Sequence, residues 1–230
     1  MRTTATALGI AIMFAGLSAM AADVANPIAA SHPIDQYNVV WTTPSKHAGE
    51  SMPCSGGDVG VNVWVENGEL LLYTGRAGCR DENGALLKPG RCRVKLTPNP
   101  FGNGSFRQEL KLREGYVLIT AKQPDGKSVA IKIWVEVSRP IVHLDIESDN
   151  PVAVEATYES WRTETIELSG AGNKHNRRAM CMINYDAYPG KVFLYKDRID
   201  PAKKLVRFHH RVDNSKDCFN FQVKQQGLEP

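Results

Sequence analysis

The chain has no C-x-x-C pair, and its six histidines and five cysteines are scattered, so the ligand spacing of a zinc site is missing and neither a metal nor a cofactor is expected. It has no G-x-S-x-G segment, which excludes the nucleophile elbow of a serine hydrolase. Gly56-Gly57-Asp58-Val59-Gly60 lacks the Lys-Ser/Thr of a phosphate-binding loop and leads into a strand pattern, which excludes that mode of nucleotide binding. Excess charge of one sign is missing too. With 28 basic against 25 acidic residues, interspersed, the net charge of +3 is too weak a field to imply nucleic acid as a partner. The densest basic pair, Arg177-Arg178, reads as a solvated loop. There is no internal repeat, no low-complexity tract and no convincing amphipathic helix.

What is present begins with a leader pattern. Arg2 supplies a positive end, Ala5 to Leu17 an apolar stretch, and Ala19-Met20-Ala21 a small-x-small cleavage site. Residues 1–21 are therefore expected to be a signal peptide and the mature protein to be exported, to the periplasm or beyond. The apolar stretch is shorter than the roughly 20 residues that span a bilayer, and no later segment is long and apolar enough, so no membrane partner is expected after cleavage. Residues 22–36, with Pro27 and Pro33, read as a linker. The remainder, 37–230, fits one large domain or a two-lobed sandwich.

Valines at 59, 61, 63 and 65 alternate strictly with Gly60, Asn62 and Trp64, which places the two sets on opposite faces of a strand. Asn67-Gly68 is a hairpin signal, and Leu70 to Tyr73 returns as the partner strand. Further short strands are predicted at Tyr37–Trp41, Arg91–Leu96, Phe106–Leu112, Tyr116–Ala121, Val129–Val137, Val142–Ile146, Val152–Tyr158, Val192–Tyr195, Leu205–His209 and Cys218–Val223. Turn residues separate them, as at Asp125-Gly126 and Arg139-Pro140. Ser51 to Asp58 is dense in turn formers. Short helices fit only at Lys174–Ala179 and Pro201–Leu205. The fold class is all-β, and of sandwich and barrel the antiparallel sandwich is expected.

Export would place Cys54, Cys79, Cys92, Cys181 and Cys218 in an oxidising compartment, and an odd count leaves at least one without an intramolecular partner. Cys79 and Cys92 flank the turn-like Asp81-Glu82-Asn83-Gly84. A disulfide across that hairpin would require their Cα atoms to lie roughly 4.4–6.8 Å apart.

Glycoside hydrolysis needs two carboxyl groups about 5 Å or about 6.5–9.5 Å apart. Asp145 and Glu147, two apart, and Glu155, Thr157 and Glu159, each two from the next, share a sheet face, which is also the pattern of a solvated strand. Cys54, with His47 or His143 as base, is the one thiol nucleophile to consider; a buried cysteine is the simpler reading. No residue is assigned a catalytic role. Aromatic faces stack on sugar rings and neighbouring polar groups bind hydroxyls. Trp64, opposite the valines, and Trp161, beside Arg162, are the best carbohydrate candidates, with burial in the core as the competing role of each. Trp134 and Tyr185-Asp186-Ala187-Tyr188 supply further aromatic surface.

Tyr37 to Ser45, Ser51-Met52-Pro53 through Trp64, and Asp81-Glu82-Asn83-Gly84 through Arg91 to Phe101 together resemble a known family, the domain of unknown function 5703. That domain heads secreted bacterial proteins similar to the α-L-fucosidases of glycoside hydrolase family 95, in which an N-terminal β-supersandwich precedes an (α/α)6 barrel. The family's hallmark reads Met-Pro-Leu-Gly-Asn-Gly-Asp-x-Gly. Met52, Pro53, Gly57, Asp58 and Gly60 agree with it, and Cys54, Ser55 and Gly56 depart. His210-Arg211-Val212-Asp213 is similar to a His-Arg-Asn-Glu segment, with Val212 and Asp213 as departures, and its residues are binding or packing candidates, packing being the simpler role. The resemblance implies a β-supersandwich over 37–230 and places Asp58, Asn62, Trp64, Trp161, Arg162, His210 and Arg211 among the carbohydrate-binding candidates. In the fucosidase-like enzymes the catalytic carboxylates belong to the barrel, so the expected function is a non-catalytic scaffold or weak glycan binder. The alternative is a truncated or split glycoside hydrolase that works with a separately encoded barrel.

Overall fold

The computed structural model describes residues 32–81, 86–167, 191–202, 205–211 and 217–228. The leader, residues 22–31 of the linker, Arg177-Arg178, the Lys174–Ala179 helix, the Tyr185–Tyr188 aromatics and Cys181 lie outside them. Residues 33–36, read as linker, instead form most of a 3-10 turn, Pro33–Tyr37. His32 Nδ1 accepts from the Ile34 amide at 3.2 Å, and Asp35 accepts from the His32 amide at 3.0 Å, so the turn's first donors are satisfied locally.

Among the described residues, fourteen strands follow in chain order: β1 (Val39–Trp41), β2 (Met52–Gly56), β3 (Val59–Glu66), β4 (Glu69–Arg76), β5 (Gly90–Thr97), β6 (Ser105–Lys111), β7 (Tyr116–Lys122), β8 (Ser128–Val135), β9 (Val142–Ser148), β10 (Ala153–Glu159), β11 (Ile166–Glu167), β12 (Phe193–Leu194), β13 (Arg198–Ala202) and β14 (Leu205–His209). A helix, α1 (Asp217–Gln225), comes last among the described residues. The strands form two five-stranded antiparallel sheets, in the orders β1-β6-β7-β8-β9 and β10-β5-β4-β3-β2, and two hairpin-like pairs, β11-β12 and β13-β14. The expected all-β sandwich is what the chain forms.

The chain divides into two compact units. The larger holds the described residues of Leu8–Leu72 and Val94–Glu155, and within it the two sheets face each other, β2 and β3 against β6, β7 and β8. Met52, Val61 and Val63 from one sheet and Val117, Ile119, Ile131 and Ile133 from the other are buried. At roughly 25 cal/mol per Å2 of apolar surface removed from water, this core is the main driving force of the unit. One polar group joins it: Gln108 of β6 is fully buried and its amide donates to the Val63 carbonyl at 3.1 Å.

The Asn67-Gly68 turn forms as predicted, with φ of 52° and 75°, the left-handed pair that a two-residue hairpin needs. The Met52–Gly56 segment, read as turn-rich, is instead a strand paired along its length with β3, Met52 opposite Val63 and Gly56 opposite Val59. Met52, Cys54 and Gly56 point inward in alternation, and Pro53 is tolerated because β2 is an edge strand. Gly56 and Gly57 are required here. A Cβ on Gly56 would stand 2.4 Å from the Val135 carbonyl oxygen, and one on Gly57, whose φ is +55°, would stand 2.7 Å from that of Val137.

Two other expectations are corrected. Pro201–Leu205 is not helical: Pro201 and Ala202 end β13, and Leu205 opens β14. Ile199, Pro201, Val206 and Phe208 share one face of that pair, so the period is two. Cys218–Val223 reads as a strand because Phe219, Phe221 and Val223 alternate with polar residues, yet the segment is helical. Its end explains the choice. The Leu228 amide bonds the Val223 carbonyl and the Gly227 amide that of Lys224, with Gly227 at φ +70°, which closes the helix with a Schellman motif.

Gly56→Ala is expected to destabilise the larger unit by about 1–3 kcal/mol, since the added methyl meets backbone and not a mobile side chain. Urea denaturation followed by circular dichroism measures it, and an unchanged midpoint would refute the close approach.

Candidate functional site

The smaller unit contains the described residues of Tyr73–Arg93 and Ala156–Pro230. Two constellations in it involve candidates named from the sequence. The first is buried and centres on Asp197, in the loop before β13. Its Oδ1 accepts from Arg162 Nε at 2.8 Å and lies 3.0 Å from His210 Nδ1. Its Oδ2 accepts from the second guanidinium arm of Arg162 at 2.7 Å and from the Ser160 hydroxyl at 2.8 Å. The third guanidinium nitrogen of Arg162 donates to the Lys88 carbonyl at 2.6 Å. The Asp197 side chain is 0% exposed and that of His210 2%.

Burial pushes the Asp197 carboxyl upward, but hydrogen bonds from His210, Arg162 and Ser160, with the charge of Arg162, outweigh it and hold the group below the usual carboxylate range. A carboxylate that is this fully engaged is an anchor. Ser160 directs its hydroxyl proton at Asp197, whereas a serine nucleophile directs it at an imidazole, so the trio is not arranged as a Ser-His-Asp relay. Above it, the Tyr158 ring stacks on Phe208 of β14 at 4.1 Å, and the Tyr158 hydroxyl donates to the Pro89 carbonyl. Burial, then the nearby Asp197 charge, push the Tyr158 phenol up to about 12.

The second constellation lies on the surface. Arg91 and Arg93 alternate along β5 and so share a face. On the β10 side both reach Glu159, Arg91 Nε at 2.6 Å and Arg93 Nε at 2.9 Å. On the β4 side the Arg91 guanidinium lies 5.8 Å from the centroid of the Tyr73 ring. Trp161, just past β10, meets Tyr73 edge to face at 5.3 Å and is 50% exposed. Burial raises the Glu159 carboxyl, and the two arginines more than offset this, so it stays ionised below the usual range.

The structure thus unites Arg162 and His210 through Asp197 and leaves Trp161 on the surface. Arg162 is buried and does not serve as a surface partner of Trp161, as its position in sequence had implied. Arg211 is exposed. In the larger unit, Asp58 is exposed at the β2–β3 turn and Asn62 is exposed on β3. Trp64 is corrected. It is 0% exposed, with its indole N–H donating to Glu66 at 2.8 Å, so neither ring face is open to a sugar.

The thiols are corrected likewise. Cys79 and Cys92 are free and not bridged. The Leu87 amide bonds the Cys79 carbonyl at 2.9 Å, beside an isolated bridge of Arg80 to Leu86, so the residue opposite Cys79 is Leu87, and Cys92 lies five positions further along. Cys54 is buried with its Sγ 3.3 Å from the Gly115 carbonyl, and burial pushes its thiol up, the opposite of what a nucleophile requires. Asp145 accepts from the Trp134 indole at 2.8 Å, and Glu159 belongs to the two arginines, so each carboxylate pair considered for hydrolysis has a member engaged on its own strand face. Ser160 and Asp197 were missed. Nothing adjacent to Asp197 in sequence marks it, because Arg162 is 35 residues away.

Fold and surface together define an antiparallel β-sandwich protein with a buried charged anchor and a platform of one half-exposed tryptophan beside half-buried Tyr73, Arg91 and Glu159. The model of the family described as domain of unknown function DUF5703, its N-terminal part, matches residues 40–230, and the chain belongs to that family. No curated protein matches it in sequence.

Asp197→Asn leaves the Arg162 guanidinium buried without its counter-charge and is expected to destabilise the protein by about 3–5 kcal/mol. The wild type's pH dependence follows from sign. Because the Asp197 pKa is lower folded than unfolded, its contribution is complete above about pH 4 and drains as pH falls through the folded value. Tyr158 is shifted the other way, so its contribution holds below about pH 10 and is lost as pH rises toward about 12. Melting temperatures across pH check both, with Asp197→Asn flattening the acid limb and Tyr158→Phe the alkaline one.

Proposed function

We propose that this chain is an exported, non-catalytic glycan-binding or scaffold domain, related to the front domain of the fucosidase-like hydrolases of glycoside hydrolase family 95. The observation that carries the reading is the platform of Trp161, Tyr73, Arg91 and Glu159. A half-exposed indole offers an apolar surface to a pyranose face, and the guanidinium and carboxylate beside it supply a donor and an acceptor for ring hydroxyls. The groups are held by one another, so little conformational entropy is lost on binding. The leader pattern of residues 1–21 supports export, and no described helix is long and apolar enough to cross a membrane.

A second reading, a split glycoside hydrolase that works with a helical (α/α)6 barrel, draws on Asp58. It is exposed at a hairpin tip whose Gly57 has no room for a side chain against Val137, so the tip's conformation is constrained. Release of sugar from aryl-fucosides or galactosides in the presence of a barrel protein, lost on Asp58→Asn, would favour it.

Affinity electrophoresis of the mature protein through gels containing plant or host glycans tests the first reading. Retardation on at least one glycan is expected, weakened about tenfold or more by Trp161→Ala with the melting temperature unchanged. Free migration in every gel would overturn it.

A further inference from the structure

The β13–β14 pair has two faces of opposite character. Cross-strand register places Ile199 opposite Phe208 and Pro201 opposite Val206 on one face, and Arg198 opposite His209, Asp200 opposite Arg207 and Ala202 opposite Leu205 on the other. The first face is held by contacts: Phe208, itself 37% exposed, stacks on Tyr158, and His210, just past the strand, reaches the buried Asp197. Arg207 and His209 share the face of β14 opposite Phe208, about 6.6–6.8 Å apart along the strand, and Arg211 lies just beyond its end. All three are exposed, as are Arg198 and Asp200.

Charge on this face is lopsided. Among the described residues of this face, Arg198, Arg207 and Arg211 are exposed with one carboxylate, Asp200, whose Oδ1 already lies 3.3 Å from Arg198 Nε. Exposed arginines also discourage edge pairing of a two-stranded sheet, and that ordinary role needs no ligand. It does not require the strand to be anchored from below, however, and here a ring stack and a buried carboxylate hold the basic row in place. A fixed row of guanidinium forks suits carboxylates spaced along a polymer.

We propose that the outward face of β13–β14, carried by Arg207 and Arg211 with Arg198 across from them, is a second binding surface, one that takes the carboxylates of an acidic, uronate-bearing polysaccharide. The assignment to polysaccharide, and not to another polyanion, rests on the glycan-binding reading above. It goes beyond the Trp161 platform in placing selectivity for charge on a different element of the same unit.

The experiment is affinity electrophoresis and isothermal titration of the full mature protein against polygalacturonate, neutral xylan and duplex DNA, for wild type, Trp161→Ala and the double variant Arg207→Gln/Arg211→Gln. The expected result is binding to polygalacturonate that weakens with added salt and falls about tenfold in the double variant, with neutral-xylan behaviour and melting temperature unchanged. Arg207→Lys/Arg211→Lys, which keeps the charge and loses the fork, is expected to fall between the two. Binding to neutral xylan alone would overturn this inference and leave the platform reading standing. Binding to DNA as tight as to polygalacturonate would overturn it as mere polyanion attraction, and so would binding to none of the three probes, with the platform reading then decided by the wider glycan panel.

Discussion

A carboxylate taken wholly out of water has to recover its lost hydration from the protein, and in the smaller unit that demand organises the structure around Asp197. Arg162 contributes two parallel hydrogen bonds, Ser160 one and His210 another, while Arg162 also binds the Lys88 carbonyl. Those residues come from the loop before β5, the end of β10, the approach to β13 and the end of β14. Packing alone would leave such short strands poorly fixed, since two-stranded pairs are marginal in water. A bidentate arginine with satisfied neighbours gives them a defined geometry, at the cost of desolvating two charges.

The larger unit is held by a different interaction. Its opposing sheet faces are almost entirely aliphatic, with Gln108 and Cys54 the polar exceptions, each directed at a backbone carbonyl. Hydrophobic burial is non-directional, and register there comes from side-chain alternation and from turns such as Asn67-Gly68. The outer face of β7, β8 and β9 shows how the solvated side is managed. Trp134 stacks on His143 at 3.9 Å, Lys132 lies 4.7 Å over the Tyr116 ring, and Glu136 joins Arg139 to His143. These rings are covered by one another, which distinguishes them from Trp161.

The two surfaces of the smaller unit depend on what lies beneath them. The platform exists because Glu159 is locked to Arg91 and Arg93, and Arg91 in turn leans on Tyr73. The basic face of β14 is steadied from its other side, where Phe208 stacks on Tyr158 and His210 reaches Asp197. Buried anchoring thereby becomes surface preorganisation, which is how a small β-structure can present side chains in fixed positions without a large interface.

What the amino-acid sequence determined by itself was the β character, most strand positions and the class of chain, because a period of two and an Asn-Gly turn are local and need no partner. The Val59–Val65 alternation was legible for that reason, and the exposure of Trp161 stood as one of two open roles; the hallmark residues Met52, Pro53, Gly57, Asp58 and Gly60 were legible only through the family resemblance. Local signals failed where a distant atom decided. Whether Trp64 was ligand or core depended on what covers it. That Met52–Gly56 is a strand depended on β3, and that Cys79 faces Leu87 depended on where the ladder starts. Tertiary structure alone decided the Asp197 anchor, since a carboxylate among charged neighbours is ordinary in sequence and becomes singular only when folding removes its water and brings Arg162 and His210 to it.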